Sequence, residues 1–391
     1  MHLTFFNTAD LRTGRGCEQV LLHLINYKPS DINITIVQTD FLDFERVPQS
    51  YIDEVLKDCE LITIRTFVNS YKSVFGGYSH LISKLLFKDV RGAKKMGNYK
   101  EIRNTDIVYL FGNSFSSFFS GLHIPIIGSN HTFNPSDFFS QKKLSFIGKL
   151  KFYIVKITLY RNINGFHLFP YNEYILPVLR TKYNFLLPNG VDTSIFYPSQ
   201  AHNNKKLKLL FVAALTYEKG LDILLPVISR LKENNNLEFH IAGKGPLEND
   251  VKGIKSVIYH GGVTENELTK LYSDADIFIY PSHNDTYSLV ILQALSSGLY
   301  VISGDYLRGV FDDFEEKGYL EYIPLNSNSF YERIKAIESG INVPNIDRAE
   351  LHNYVKKNYD WKIIAESFYS NLNNIYKESV RDYQNDKAET S

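Results

Sequence analysis

Residues 281–303 read PSHNDTYSLVILQALSSGLYVIS. A polar loop runs into the apolar stretch LVILQAL, and that stretch runs into a β-rich segment ending LYVIS. Loop, buried helix and strand in this order form the repeating unit of a parallel sheet covered by helices. Thr286 or Ser288 stands where a cap for the helix belongs. Gln293 is the one polar side chain inside the apolar run, and a buried amide needs hydrogen-bond partners. Asp285 precedes the helix. Two assignments stay open for this pair. They form an N-cap and a satisfied core amide, or a carboxylate and an amide that hold sugar hydroxyls while the helix N-terminus faces a phosphate oxygen.

The same alternation extends in both directions. In the first half β-rich runs fall near 2–7, 33–39, 61–64, 106–112, 124–129 and 166–171; in the second near 207–214, 237–243, 256–262, 276–282 and 299–304. Helical patterns lie between them, so the predicted fold class is α/β, with two doubly wound, Rossmann-like domains. Pro188, Asn189-Gly190 and Pro198, followed by an Asn/Lys stretch, mark the joint. We expect domains at 1–195 and 196–361. A closing helix at 362–380 belongs with the first domain, and a disordered tail follows at 381–391. Sheets of this kind bind ligands beyond the carboxyl ends of their strands, so two facing ones predict a cleft lined by strand-to-helix loops.

At 391 residues the chain is too long for one ordinary core. Its 44% apolar and 22% charged residues are those of a soluble globular protein. The start, MHLTFFNTAD, lacks the basic and apolar regions of a signal peptide, and no run reaches the roughly 18 apolar residues of a spanning helix. Two cysteines, Cys17 and Cys59, carry no disulfide or zinc spacing, which favours a reducing, cytoplasmic location. The net charge of zero hides an asymmetry: residues 1–198 hold 22 basic against 16 acidic residues, and 199–391 hold 21 against 27. The first half therefore suits an anionic partner.

Three more loops hold candidate chemistry. NTADLRTGRGCEQVLLHL follows the first strand, and Gly14 and Gly16 let backbone approach a ligand at a helix N-terminus. Gln19 stands where a dinucleotide fingerprint needs its last glycine, while Asp40 ends the second strand as a ribose-binding acid would, so a nicotinamide-dependent dehydrogenase stays open. VAALTYEKGLDIL places Lys219 on a strand-to-helix turn, as a point charge for phosphate or as a solvated surface lysine. HIAGKGPLE places Gly243 and Gly245 on the next turn, where backbone N–H groups come close to a base or phosphate.

The ordered set P-N-G-V-D (188–192), E-K-G (218–220), G-x-G-P (243–246) and P-S-x-x-acid-x7-polar with A-L-x-x-G (281–298) resembles retaining glycosyltransferases of family 4, which have the GT-B fold. The resemblance covers nearly all of the second half. The first half joins it through Gly14 and Gly16 and through SNHTFN, whose His131 follows a strand; the closing Trp361 helix fits as well. The resemblance implies that Lys219 contacts the diphosphate of a UDP- or GDP-hexose donor, that Asp285 and Thr286 hold the donor sugar and Gln293 the ribose, and that Gly16, Gly243 and Gly245 supply backbone contact. His131 and Asp285 then serve at the transferring sugar. It also implies retention of configuration, a hydroxyl acceptor on a lipid-linked or cell-surface glycan, and no metal or organic cofactor.

Three departures stand out. The family's E-x7-E is D-x7-Q here. Asp is shorter by roughly 1.5 Å, and Gln bonds hydroxyls without charge assistance. Ala214 occupies the place of a basic residue before the lysine, a loss of about 3 kcal/mol at the transition state for an interior donor. Arg12 or Arg15 is the expected replacement. The departures keep open a catalytically weak or inactive protein that binds sugar nucleotides or glycans.

SQKKLSFIGKLKFYIVKITLYRNI (140–163) contains no acid, and Lys142, Lys149 and Lys156 recur at intervals of seven. It reads as a basic amphipathic helix, a membrane or acceptor face, or else as an ordinary packed helix with a solvated lysine edge. KLLFKDVRGAKKMGNYK (84–100) adds charge, and residues 61–180 hold 16 basic against 5 acidic residues. Such a surface suits peripheral attachment to anionic lipid on the inner face of a membrane. No nucleic-acid motif accompanies the charge.

Overall fold

The structure is a computed structural model that describes residues 1–14, 16–42, 45–64, 102, 104–113, 116, 119, 121–131, 146–158, 160–199, 206–231, 236–341 and 344–390. The chain divides into two units, Met1–Pro188 with Ile364–Ser391, and Asn189–Ile363. The division falls before the expected joint at 195, because Val191 already belongs to the second unit. Its N–H donates to Tyr359 O at 2.8 Å and its carbonyl accepts from Trp361 N at 3.1 Å.

The first unit holds a seven-stranded sheet in the order β3-β2-β1-β4-β5-β6-β7 among the described residues. These strands are β1 (His2–Asn7), β2 (Asn33–Thr39), β3 (Cys59–Ile64), β4 (Ile107–Leu110), β5 (Ile126–Ser129), β6 (Gly165–Leu168) and β7 (Phe185–Leu186). The second holds β8 (Leu207–Val212), β9 (Leu237–Ala242), β10 (Val257–Gly261), β11 (Ile277–Tyr280), β12 (Tyr300–Gly304) and β13 (Leu320–Ile323), ordered β10-β9-β8-β11-β12-β13. Every pairing is parallel. Both orders reverse direction beside the first strand of their unit, as in Rossmann-like folds of the GT-B class, and ligands bind beyond the carboxyl ends at such a reversal.

Central strands are buried on both faces: β4, β5, β6 and β11 have no exposed residue. Their sequences are accordingly mostly apolar, IVYL in β4 and IFIY in β11, with Ser129 and His167 the polar exceptions in β5 and β6. In the second unit, Leu209, Phe211, Ile241, Ile279 and Ile302 of the sheet pack with Leu224, Val227 and Ile228 of the helix Leu221–Leu231.

The terminal helix runs Trp361–Thr390, so residues 381–390 are helical and not the disordered tail expected from composition. Asp382 anchors it: the carboxylate accepts from Tyr183 Oη at 2.8 Å and pairs with Lys182. Gly190 lies against Trp361, where a Cβ would come within 2.7 Å of the indole. Gly190→Ala is expected to destabilise the second unit by about 1–3 kcal/mol through overpacking. Denaturant unfolding followed by the fluorescence of Trp361, the single tryptophan, checks this.

Candidate functional site

In the second unit β8 ends on the loop Ala213-Ala214-Leu215, and a 3-10 turn at Tyr217–Lys219 follows. Gly220 closes that turn with φ of 84°, and a Cβ there would meet Pro281 O at 1.9 Å. Only glycine permits both the left-handed backbone and this approach. The loop after β11 is fastened to the turn: His283 N donates to Glu218 O at 2.9 Å, and Ser282 Oγ lies 3.3 Å from the same carbonyl.

This packing brings Lys219 to Asp285. Lys219 Nζ lies 3.3 Å from Asp285 Oδ2 and donates to Asn284 O at 3.0 Å. Tyr280 Oη donates to Asp285 Oδ2 at 2.6 Å, and Thr286 N donates to Oδ1 at 2.8 Å. The carboxylate is thus held from both sides. Burial, with the charge of Asp285 beside it, pushes the Tyr280 phenol far above its ordinary value, so it stays a donor.

The helix Leu289–Ser296 begins three residues further on, with Ser288 at its N-cap position and no capping bond from that side chain. The first-turn N–H groups therefore receive no oxygen from this residue. Gln293 does not stand alone in the helix: its Oε1 lies 3.3 Å from Tyr272 Oη, whose one proton it shares with Val290 O at 3.2 Å. That bond orients the amide and leaves its NH2 to donate elsewhere.

Gly243 and Gly245 sit directly after β9. Gly243 has φ of 140° with a would-be Cβ 1.9 Å from Ala213 O, and one on Gly245 would meet Leu215 O at 2.5 Å. The two loops therefore touch backbone to backbone, with Leu215 N donating to Lys244 O at 3.0 Å. The glycines are needed for this contact whatever else they bind. Lys219, Gly243, Gly245, Asp285, Thr286 and Gln293 all follow the carboxyl ends of β8, β9 and β11. Tyr280 and Tyr272 orient two of them and were not foreseen, because a tyrosine in an apolar strand or helix reads as core.

The first unit carries the other candidates. Gly16 opens the helix Gly16–Asn26, and among the described residues outside its chain neighbours and its own helix backbone no atom lies within 4 Å of where its Cβ would be. Gly14 instead ends the 3-10 turn Leu11–Thr13 with φ of 53°. Arg12 is already engaged within its own loop: its guanidinium grips Asp10 with Nε to Oδ1 at 2.9 Å and Nη2 to Oδ2 at 2.8 Å. Burial raises the Asp10 carboxyl, but the hydrogen bonds and charge of Arg12 outweigh it and hold the group below its usual range. Arg15, the second candidate, lies outside the described residues, as does Lys142.

His131 follows β5, its ring centroid 5.2 Å from Phe169, 5.3 Å from Phe111 and 5.7 Å from His167. Burial, aided by His167, pushes its pKa well down, and its Nε2 has no hydrogen-bond partner among the described residues. Burial thus favours its neutral form. His167 is lowered to about 4 by burial. It donates from Nε2 to Leu187 O at 2.9 Å, so its Nδ1 accepts from Tyr109 Oη at 2.7 Å. Asn130, next to His131, has both side-chain polar atoms buried and unpartnered among the described residues. Asn172, which follows β6, has the same property. Neither asparagine was singled out from sequence, where an Asn after a strand looks like any turn residue.

Of the basic residues expected on one face, Lys149 is exposed on the helix Phe146–Thr158. Lys156, seven residues on along the same side, is half-buried: its ammonium donates to Leu179 O, and burial followed by the charge of Arg180 lowers its pKa.

The described residues thus form two Rossmann-like units, one of which brings a lysine, a carboxylate and a helix start without a Ser288 cap together at its strand ends. Residues 193–358, within the second unit, match the family model of the glycosyl transferases group 1. The chain is 24% identical over 204 residues to the phosphatidylinositol N-acetylglucosaminyltransferase gpi3 subunit of Schizosaccharomyces pombe, covering 50% of this chain and 44% of that one. It is 29% identical over 151 residues to the alpha-monoglucosyldiacylglycerol synthase of Streptococcus pneumoniae, covering 33% and 34%. These matches span less than half the length of either relative. Anabaena HepE in complex with UDP shares the fold with a TM-score of 0.68 at 13% identity, over 96% of this chain and all of that one.

Proposed function

We propose that this chain transfers a hexose, plain or N-acetylated, from a UDP-sugar to a hydroxyl of a lipid-linked acceptor, with retention of configuration and without a metal ion. The observation that carries this is the Lys219–Asp285 pair at the carboxyl ends of β8 and β11. A diphosphate carries more charge than one carboxylate, so Lys219 exchanges Asp285 for the donor phosphates. Asp285, still held by Tyr280 and Thr286, then accepts from sugar hydroxyls. The start of the Leu289–Ser296 helix adds its partial positive charge at the phosphates, and Gln293 donates to the ribose from the NH2 that Tyr272 leaves unused.

With lysine and helix end supplying the positive charge, the leaving diphosphate needs no cation. UDP is preferred to GDP because the structural neighbour is a UDP complex, and a lipid acceptor because both relatives are named for lipids. His131, which burial holds toward its neutral form after β5, is assigned to a hydroxyl of the transferring sugar or of the acceptor. No described helix is long and apolar enough to cross a membrane. Attachment is assigned to the basic surface of the first unit, at the inner face of the membrane.

A thermal-shift panel of UDP-, GDP- and NAD-type ligands in EDTA, followed by product analysis by NMR, tests this. A shift with UDP-sugars and an axial-to-axial outcome at the anomeric carbon are expected. A shift with NAD alone would restore the dehydrogenase alternative. Donor binding without transfer to any lipid would favour the inactive binding protein.

A further inference from the structure

The helix Phe146–Thr158 turns the wrong side outward for a soluble protein. Phe152, 3% exposed, faces the core with Tyr160, Ile163 and Leu179, and Val155 packs against the same cluster. On the other side Phe146, Ile147, Leu150, Tyr153, Ile154 and Ile157 are between 49% and 82% exposed. Their spacing of i, i+1, i+4, i+7, i+8 and i+11 makes one continuous stripe. Six of the seventeen exposed large apolar side chains among the described residues sit in these thirteen. Scattered exposed apolar residues are ordinary; a contiguous stripe of this kind marks an interaction surface. Lys149 and Lys151 are exposed along its edges, and residues 140–163 contain no acid.

We propose that this helix lies in the plane of an anionic lipid monolayer, with the six apolar side chains inserted and the flanking lysines on the headgroups. The proposal rests on the lipid-acceptor assignment above and deepens it: attachment is mainly by insertion of apolar side chains, and charge selects the surface. A basic helix that only adsorbs would hide its apolar residues, whereas here six of them are exposed beside the lysines. A second copy of the chain is a poorer occupant, because two lysine-edged, acid-free faces would oppose like charges. At about 1.5 Å per residue the helix is roughly 20 Å long, enough to lie along the interface and too short to span it.

The test uses the full chain and vesicles of phosphatidylcholine with 30% phosphatidylglycerol, without donor or acceptor, so that its outcome is independent of catalysis. Sedimentation should show binding that weakens but persists in 1 M salt. Leu150→Glu/Ile154→Glu should lower partitioning by at least about 100-fold, since each buried aliphatic side chain contributes roughly tenfold or more, and should leave thermal unfolding and UDP-sugar binding unchanged. Lys149→Ala/Lys151→Ala should cost about fivefold per lysine at low salt. Tyr153→Trp should be quenched by lipids brominated on their acyl chains, against the flat background of the buried Trp361. Wild-type binding by the Leu150→Glu/Ile154→Glu variant would overturn the proposal. So would an unquenched Tyr153→Trp, or a dimer in solution that binds no vesicle and is broken by Leu150→Glu. If vesicles bind as expected while no nucleotide sugar shifts the melting temperature, the assigned reaction fails and the insertion stands.

Discussion

Asp285→Asn is expected to lower kcat/KM by roughly 100- to 1,000-fold, the cost of losing a charged, oriented contact at a reacting centre, while UDP binds as tightly as before or up to about fivefold tighter. The two effects have one cause. In the free protein Asp285 neutralises Lys219 across 3.3 Å, with about a fifth of each side chain exposed. A donor must break that pair before its phosphates can use the lysine. A partly exposed pair of this kind contributes at most about 1 kcal/mol, which is the gain UDP receives when the carboxylate is gone. Transfer suffers because asparagine holds sugar hydroxyls without charge assistance. Lys219→Ala separates the roles: it loses both UDP affinity and turnover. Wild-type turnover by Asp285→Asn would remove the carboxylate from the mechanism.

The second large effect is on stability in acid. His167 is neutral in the folded state, with its pKa lowered to about 4 from 6.5 by burial, and His131 is lowered for the same reason. The unfolded chain takes up protons first as pH falls. Stability is therefore complete above pH 6.5 and is lost as the pH drops from there toward 4, by about 2 kcal/mol at pH 5 from His167 alone. Protonating His167 would also set a second N–H against the hydroxyl of Tyr109, which has to turn round to accept. Urea unfolding of the chain at pH 7.5 and pH 5 measures the drop, and His167→Phe should remove most of it relative to that variant's own value at pH 7.5. A flat profile would mean that the ring is hydrated or charged in the folded state.

Much of the fold is legible in the sequence because the core strands are short apolar runs set off by loops. All eleven runs read from sequence coincide with strands. The two that escaped are the edge strands β7 and β13, of two and four residues. Edge pairing depends on a neighbour more than on local composition. The 381–390 segment reads as disordered because it is polar, and it is helical because a tertiary partner, Lys182 with Tyr183, meets Asp382. The motif loops are found in place, yet what holds them is less visible. Tyr280 and Tyr272 look like core residues until the hydroxyls are seen to donate to Asp285 and Gln293. Asp10, two residues before Arg12, could have been read as its partner. The 146–158 helix was recognisable by its period, whereas which side faces outward depends on where Phe152 and Val155 find the core.

The central claim is that Lys219 and its loops bind a nucleotide diphosphate in place of a metal ion. Calorimetric titration of UDP and a UDP-sugar into the wild-type chain in EDTA tests it most directly. The account predicts saturable binding that Lys219→Ala weakens by roughly 100-fold. Wild-type affinity in Lys219→Ala, or binding that appears only when a divalent cation is restored, would contradict it.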